Sequence, residues 1–482
     1  MAAPPGGLAK SILTARAYGR DMHKVSFPKA CLLPALGLAA CAPHVDLEPV
    51  PIVRSQDWSE SQAAVPRDTG APIGEPGTLG AALGSAALDA LIDKASHDNT
   101  DIAASLARIR QARALLRVAR GAMLPVISAS AGLEASRTDQ TQLDFRNAFG
   151  SLDISFELDL FGGRRAEADA ARGRFRGTQF DRDAVMLAVQ ADVARAFVQQ
   201  ATLAARLALA DRNIAQQREL ERIIRARVDA GDGTRVDLGL QTIQVRELQA
   251  DRSRLEQALA QTRNSLAVLV GEEAPQFRSP PAPLESLVVP SLRLVQPTEL
   301  VARRPDVRAA EARIQAAGGD VRAARAAFYP RLTLSSRGLS QAAILGGPLS
   351  TLFSTGAGLL APIFDRGRLR GNLDFAAGAQ AESVALYRQA LLNSLADVEN
   401  AISAVGRSSD RAELTDQIVI QARETARLAR LQYLEGDADL QRLFDAEQRL
   451  IESEDARLIA LQERLDAAID MFKALGGMPA RA

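Results

Sequence analysis

The sequence predicts a mainly α-helical chain that carries membrane-type β-strands and is built as an internal tandem repeat. Three observations lead there. The second half repeats the first with a nearly constant displacement of 205 positions: Asp101 answers to Asp306, Arg120 to Arg325, Pro125 to Pro330, Gly231 to Gly436 and Gly271 to Gly476. Register held across so long a unit specifies a repeat architecture rather than a shared compositional bias. Long proline-free stretches fill most of each copy. After Pro125 and Pro330, each copy also carries two short segments that read as strands, one of them strictly alternating between apolar and polar residues.

Composition narrows the class. Of 482 residues, 47% are apolar but only 4% aromatic, so the chain lacks the bulky rings that fill a thick core. Small apolar residues instead suit thin seams between closely approaching helices. The formal net charge is zero, so no basic field points to nucleic acid as a partner.

Residues 1–40 read as a signal peptide, with Met22 as an alternative start. Met22 to Lys29 supplies a positive region, Ala30 to Ala40 an apolar one, and Leu38-Ala39-Ala40-Cys41 fits a bacterial lipobox. Cys41 is therefore the expected lipidation site and first mature residue; a plain signal peptide is the alternative. Residues 41–85, rich in Pro, Gly, Ser and Ala, read as a lipidated linker. Beyond Cys41 no run of about 18 apolar residues offers a transmembrane helix, so any membrane span must be made of strands.

The first repeat is expected over 86–271. Helical pattern begins near Leu88, breaks around Asn99, continues to Met123 and stops at Pro125. Strands are expected at about 125–137 and 149–161. In Leu152-Asp-Ile-Ser-Phe-Glu-Leu-Asp-Leu160 every second residue is apolar, giving one greasy and one wet face. Asp153, Glu157 and Asp159 are accordingly expected to face a water-filled lumen while their neighbours face lipid. A long helix follows at about 164–229, on the order of 100 Å, then a glycine turn and a returning helix at about 235–270. A proline-rich connector spans 272–299. The second repeat, 300–477, carries strands at about 330–340 and 352–364, a long helix at about 368–434 and a returning helix at about 440–475. Apolar residues on the returning helices recur at coiled-coil spacing: Leu248, Leu255, Leu259 and Leu266, then Ile451, Leu458, Leu465 and Phe472. Lengths suggest that each returning helix stacks end to end with the short leading helix of its repeat. Four strands cannot close a membrane barrel, and lipid tolerates no open edge, so strands in a membrane need partners from other chains.

Several ordered motifs carry a resemblance. Phe156-Glu-Leu-Asp-Leu-Phe-Gly-Gly-Arg164, Pro362-Ile-Phe-Asp-Arg-Gly-Arg368, Arg303-Arg-Pro-Asp-Val-Arg-Ala-Ala-Glu311, Tyr433-Leu-Glu-Gly436 and Phe472-Lys-Ala-Leu-Gly-Gly477 resemble signatures of TolC-type outer-membrane efflux factors, in the lipoprotein branch called NodT- or OprM-like. The resemblance covers nearly all of the mature chain. It implies a homotrimer: a twelve-stranded outer-membrane β-barrel continuous with a long α-helical coiled-coil barrel across the periplasm. It further implies a passive exit duct for drugs or toxic compounds, lipid-anchored in the bacterial outer membrane, served by a periplasmic adaptor and an inner-membrane pump. In such proteins residues around the two glycine turns narrow the periplasmic aperture. The matching positions here are Asp237, Tyr433, Asp437, Asp439, Arg442 and Asp445. Arg442 departs from an aspartate common in relatives, and Thr234 with Asp237, or Asp437 or Asp439, also fit helix caps.

No catalytic constellation is legible. His23 and His44 lie in the signal and linker, His97 stands alone, and no cysteine–histidine set or phosphate loop is present, so neither cofactor nor metal is expected and the chain does not read as an enzyme. The competing reading is a structural coiled-coil envelope lipoprotein without transport activity, which accounts for the heptads and Cys41 but not for the alternating strands.

Overall fold

The computed structural model describes residues 49, 58–59, 78–138, 143–280, 283–290, 296–343 and 348–477. Cys41, the expected signal segment and Gly346-Gly347 lie outside the described residues. A short helix α1 (Leu79–Ala82) leads into α2 (Ala86–Asp98), which Ser85 caps by accepting from the Leu88 amide at 3.2 Å. Asn99 ends α2 and starts α3 (Thr100–Gly121): its carboxamide oxygen accepts from the amides of Asp101 and Ile102. One side chain thus sets the break within the leading segment.

Strands β1 (Val126–Thr138) and β2 (Leu143–Leu158) follow, then a 68-residue helix α4 (Gly163–Ala230) and its return α5 (Arg235–Leu269). A 3-10 turn, Leu284–Ser286, sits in the connector. The second copy comprises α6 (Pro297–Arg303), α7 (Pro305–Ala326), β3 (Arg331–Ala343), β4 (Ser350–Leu360), a second 68-residue helix α8 (Arg368–Glu435) and α9 (Leu440–Ala474). Both long helices end at glycines with φ of +87°, Gly231 and Gly436, a left-handed conformation that a side chain would strain.

Helix α4 packs along α3, α5, α7 and α9, and α8 along α7 and α9. Its seam with α7 explains the poverty in aromatics. A Cβ on Gly173 would stand 2.7 Å from the Ala316 nitrogen, and one on Gly319 would stand 2.8 Å from the Ala170 nitrogen. These backbones are almost in contact, so not even alanine fits at the two glycines, and the residues facing them are alanines. Phe197, wholly buried at mid-length, anchors the largest apolar cluster with Leu88, Leu266, Leu465 and Phe472. Three of the four heptad positions on α9, Leu458, Leu465 and Phe472, are buried.

The returning and leading helices do meet end to end, and the two repeats solve the junction at the same place. Asn99 Nδ2 donates to the Leu269 carbonyl at 2.8 Å. Its repeat equivalent Arg304 donates from Nη1 to the Ala474 carbonyl at 3.2 Å. Each contact satisfies a carbonyl in the last turn of a returning helix. Arg304 is 8% exposed and also binds Asp306 through two hydrogen bonds (3.0 and 2.7 Å) and Asp397 at 2.9 Å. The backbone of Gly271 lies so close to Asp98 that a Cβ would fall 2.3 Å from its carbonyl oxygen.

The strands form one sheet in the order β1-β2-β3-β4, antiparallel throughout. Pairing of β2 with β3 joins the two repeats, with Asp153 opposite Arg337. Strand boundaries differ from the sequence reading. β2 begins at Leu143 rather than 149, because its pairing with β1 runs on to Thr138, and it ends at Leu158 rather than 161. β4 ends at Leu360 rather than 364, just before Pro362, which has no amide to donate. Every residue of β4 is exposed, Phe353 at 79%, so no layer of described residues covers this strand. β1 and β4 each keep one unpaired edge among the described residues.

Candidate functional site: strand rim and helical tip

The acids expected along the strand wall have specific partners. Asp153 accepts from Ser151 Oγ at 2.6 Å and pairs with Arg337 across the sheet. Glu157 accepts from Arg164 Nη2 at 2.9 Å. Asp159 stands outside the strand: its two carboxylate oxygens accept from the amides of Arg164 and Arg165, each at 3.0 Å, closing the first turn of α4. Its role is therefore corrected from lumen lining to helix capping, where a carboxylate also meets the positive end of the helix dipole. Asp365 does the same in the second copy, accepting from Gly367 at 3.1 Å and Leu369 at 2.7 Å. The signal was present as an aspartate two or three residues ahead of a glycine that opens a helix. The alternation of Leu152 to Leu160 masked it. Asp153 and Glu157 are each paired with an arginine, so the wet face that carries them holds less net negative charge than its acids alone would give.

At the opposite end, the two glycine turns form the tip. The Asp232 amide donates to the Arg227 carbonyl at 2.9 Å and the Asp437 amide to the Gln432 carbonyl at 2.8 Å, the same C-terminal closure twice. Asp237 and Thr234 form a reciprocal capping box on α5 (3.1 and 3.3 Å). Asp439 caps α9, accepting from the Arg442 amide at 2.9 Å, whereas Asp437 stays exposed on the turn. Asp445 is exposed and accepts from Gln441 at 3.0 Å; the Arg442 side chain is exposed as well.

Tyr433 departs from its expected place on an aperture. It is 8% exposed, buried with Leu220, Ile224 and Leu443, and the Arg227 guanidinium lies 4.6 Å from its ring centre. Arg227 also donates to the carbonyls of Tyr433 at 3.3 Å and Leu434 at 3.2 Å. The ring and the guanidinium therefore tie α4 to α8 next to the turns. Sequence reasoning passed over Arg227 because its partners lie 206 positions away.

Above the tip a polar layer crosses all four long helices. Gln241, fully buried on α5, donates to the carbonyl and side-chain oxygens of Gln217 on α4 (2.8 and 2.9 Å). Gln217 reaches Glu447 on α9 at 3.5 Å, and Glu447 lies 3.5 Å from Arg430 on α8. Burial pushes the Glu447 carboxyl up, with Arg430 working against it.

Two elongated helical pairs ending in glycine turns, joined to a sheet with free edges, match a known plan. The model of the outer membrane efflux protein family matches residues 91–272 and 297–477, one match per repeat. The chain belongs to the outer membrane efflux protein family. It is 33% identical to the pyoverdine export outer membrane protein OpmQ of Pseudomonas putida, over 93% of this chain and 97% of that one. It is 30% identical to the outer membrane protein OprJ of Pseudomonas aeruginosa, over 95% of this chain and 97% of that one. Among solved structures, the outer-membrane channel OprN superposes with a TM-score of 0.82 at 25% identity, over 91% of this chain and 99% of that one. The resemblance to TolC-type factors is borne out, and this efflux protein is an outer-membrane channel, the exit duct of its system.

Proposed function

We propose that three copies of this chain assemble a twelve-stranded barrel in the outer membrane that continues into a helical tunnel across the periplasm. The observation that carries this is the sheet: four strands, two free edges and an uncovered β4. Edges of that kind cannot stand in lipid, and pairing β4 of one copy with β1 of the next removes all of them at once. Cys41 is the proposed lipid anchor, after a signal peptide over 1–40 and ahead of a linker to about residue 85. The two repeats, 86–271 and 300–477, with their connector 272–299, each supply one third of a half-ring.

An inner-membrane pump and a periplasmic adaptor deliver substrate at the glycine-turn tip, where Asp237, Asp437, Asp439, Arg442 and Asp445 line the aperture. Passage needs no chemistry, and small drugs or toxic compounds move passively through. Purified protein in planar bilayers tests this. A heat-sensitive trimer on gels together with discrete single-channel conductance is expected, and Asp445→Ala raises that conductance. A monomer without channel activity refutes the duct.

A further inference from the structure

A large groove runs along the long helix α4, starting just above the tip turns. Its floor is α4 from Leu203 to Gln217, and its walls are α5 from Leu240 to Ala258 and α9 from Gln441 to Asp455. Gln244 on one wall donates to Gln448 on the other at 2.9 Å, bridging the groove. The space within this open groove is about 910 Å³, within the range that takes a drug-sized molecule.

Three properties of the lining point to a ligand. Part of the lining is apolar, with Leu203, Leu209, Ile243, Phe444 and Ile451 contributing to it. Asn213 on the floor is 5% exposed, yet its carboxamide has no hydrogen-bond partner among the described residues. Its polar atoms are open to the groove rather than sealed in, so the carboxamide can bond whatever fills that space.

The third property is charge. Six acids line the cavity, Glu247, Asp251, Asp445, Glu447, Glu452 and Asp455, against two bases, Arg206 and Arg254. Both bases are committed: Arg206 holds Asp455 through two bonds (2.6 and 2.9 Å), and Arg254 pairs with Asp251. Arg430 and Arg449, outside the lining, reach Glu447 at 3.5 Å and Glu452 at 3.9 Å. Glu247 and Asp445 have no basic partner among the described residues. A concave, partly apolar site with a surplus of negative charge concentrates cations.

We propose that this groove binds a hydrophobic organic cation, its apolar body against the leucine, isoleucine and phenylalanine walls and its charge toward Glu247 and Asp445, with Asn213 bonding its polar edge. The residues lining the cavity all belong to one chain.

The test uses the full-length protein in lipid nanodiscs, with rhodamine 6G as the cationic probe and fluorescein as an anionic dye of similar size, followed by fluorescence anisotropy. Saturable binding of rhodamine 6G at one per chain is expected, with no matching binding of fluorescein. Asn213→Leu removes the amide and Ile243→Trp fills the mouth; each is expected to weaken binding at least tenfold, about 1.4 kcal/mol. Ile243 is 54% exposed, so its replacement leaves the packing intact and decides the matter if Asn213→Leu fails to fold. Binding that never saturates, equal binding of fluorescein, or unchanged affinity in either folded variant overturns the proposal. Normal conductance without dye binding removes the groove site alone, and dye binding without conductance removes the duct alone.

Discussion

Replacing Asp466 by asparagine is expected to stabilise the protein at neutral pH and to do almost nothing in mild acid. Asp466 sits on α9 with Oδ1 buried and unbonded, while Gln462 donates to Oδ2 at 3.3 Å. Burial is the main reason its carboxyl rises from 3.8 to about 6. Asp470 and Glu463 add to the rise, and Gln462 and Arg195 oppose it. Arg195 cannot compensate fully, being shared with Asp192 and Asp470.

A raised carboxyl means that the folded state holds its proton more tightly than the unfolded chain. This group therefore costs stability as pH climbs from about 4 through 6, and the cost persists above that window. A two-unit shift corresponds to about 3 kcal/mol, reduced to roughly 2 for a side chain partly open to water. Unfolding entropy for a chain of this size is about 1 kcal/mol per degree, so Asp466→Asn should raise the apparent Tm by ~2 °C at pH 7.5. At pH 4 the gain should fall below ~0.5 °C, since the native carboxyl is then already neutral. Differential scanning fluorimetry on the detergent-purified protein at both pH values reads this directly. An equal gain at both, or a loss at pH 7.5, refutes the reasoning.

Two further substitutions probe the packing. Arg304→Met removes the partner of Asp306 and Asp397, both partly open to water, and frees the Ala474 carbonyl, for an expected loss of about 1–3 kcal/mol; chemical denaturation checks it, and Arg304→Lys should recover only part because the paired bonds to Asp306 need a planar fork. Gly173→Leu should cost more than about 2 kcal/mol and lower the yield of assembled protein, because its Cβ meets Ala316 backbone. Gly121→Ala, in open space on α3, serves as the neutral control.

The repeat, the helix ends and the long helices were legible because each rests on local signals: constant register, glycines past helix ends, prolines ahead of strands. The heptads marked buried positions on α9 for the same reason. What stayed hidden depends on distance along the chain. Nothing near Asp153 announces that Arg337, 184 positions on, will stand opposite it, so an acidic face was inferred where charges are paired. Arg304 was visible within a motif, but its partner Asp397 is 93 positions away and its purpose could not be read. Tyr433 beside a glycine turn looked like an aperture residue; only the fold brings Arg227 over its ring. Asp159 failed differently, because two local patterns overlapped and the strand alternation hid the cap.

Duplication has left this chain with two joints at matching places but of unlike material. At Asn99 the buried link is a neutral amide, with the partly exposed Lys94–Glu272 pair beside it. At Arg304 it depends on carboxylates: burial works against the charge of Asp306, but Arg304 overcomes this and holds the carboxyl below its ordinary value. That contribution is present at neutral pH and fades as acid protonates Asp306. Strong acid should thus loosen the younger-numbered and older-numbered halves unequally, the half after Arg304 first, and amide exchange on either side of the two joints would register the difference.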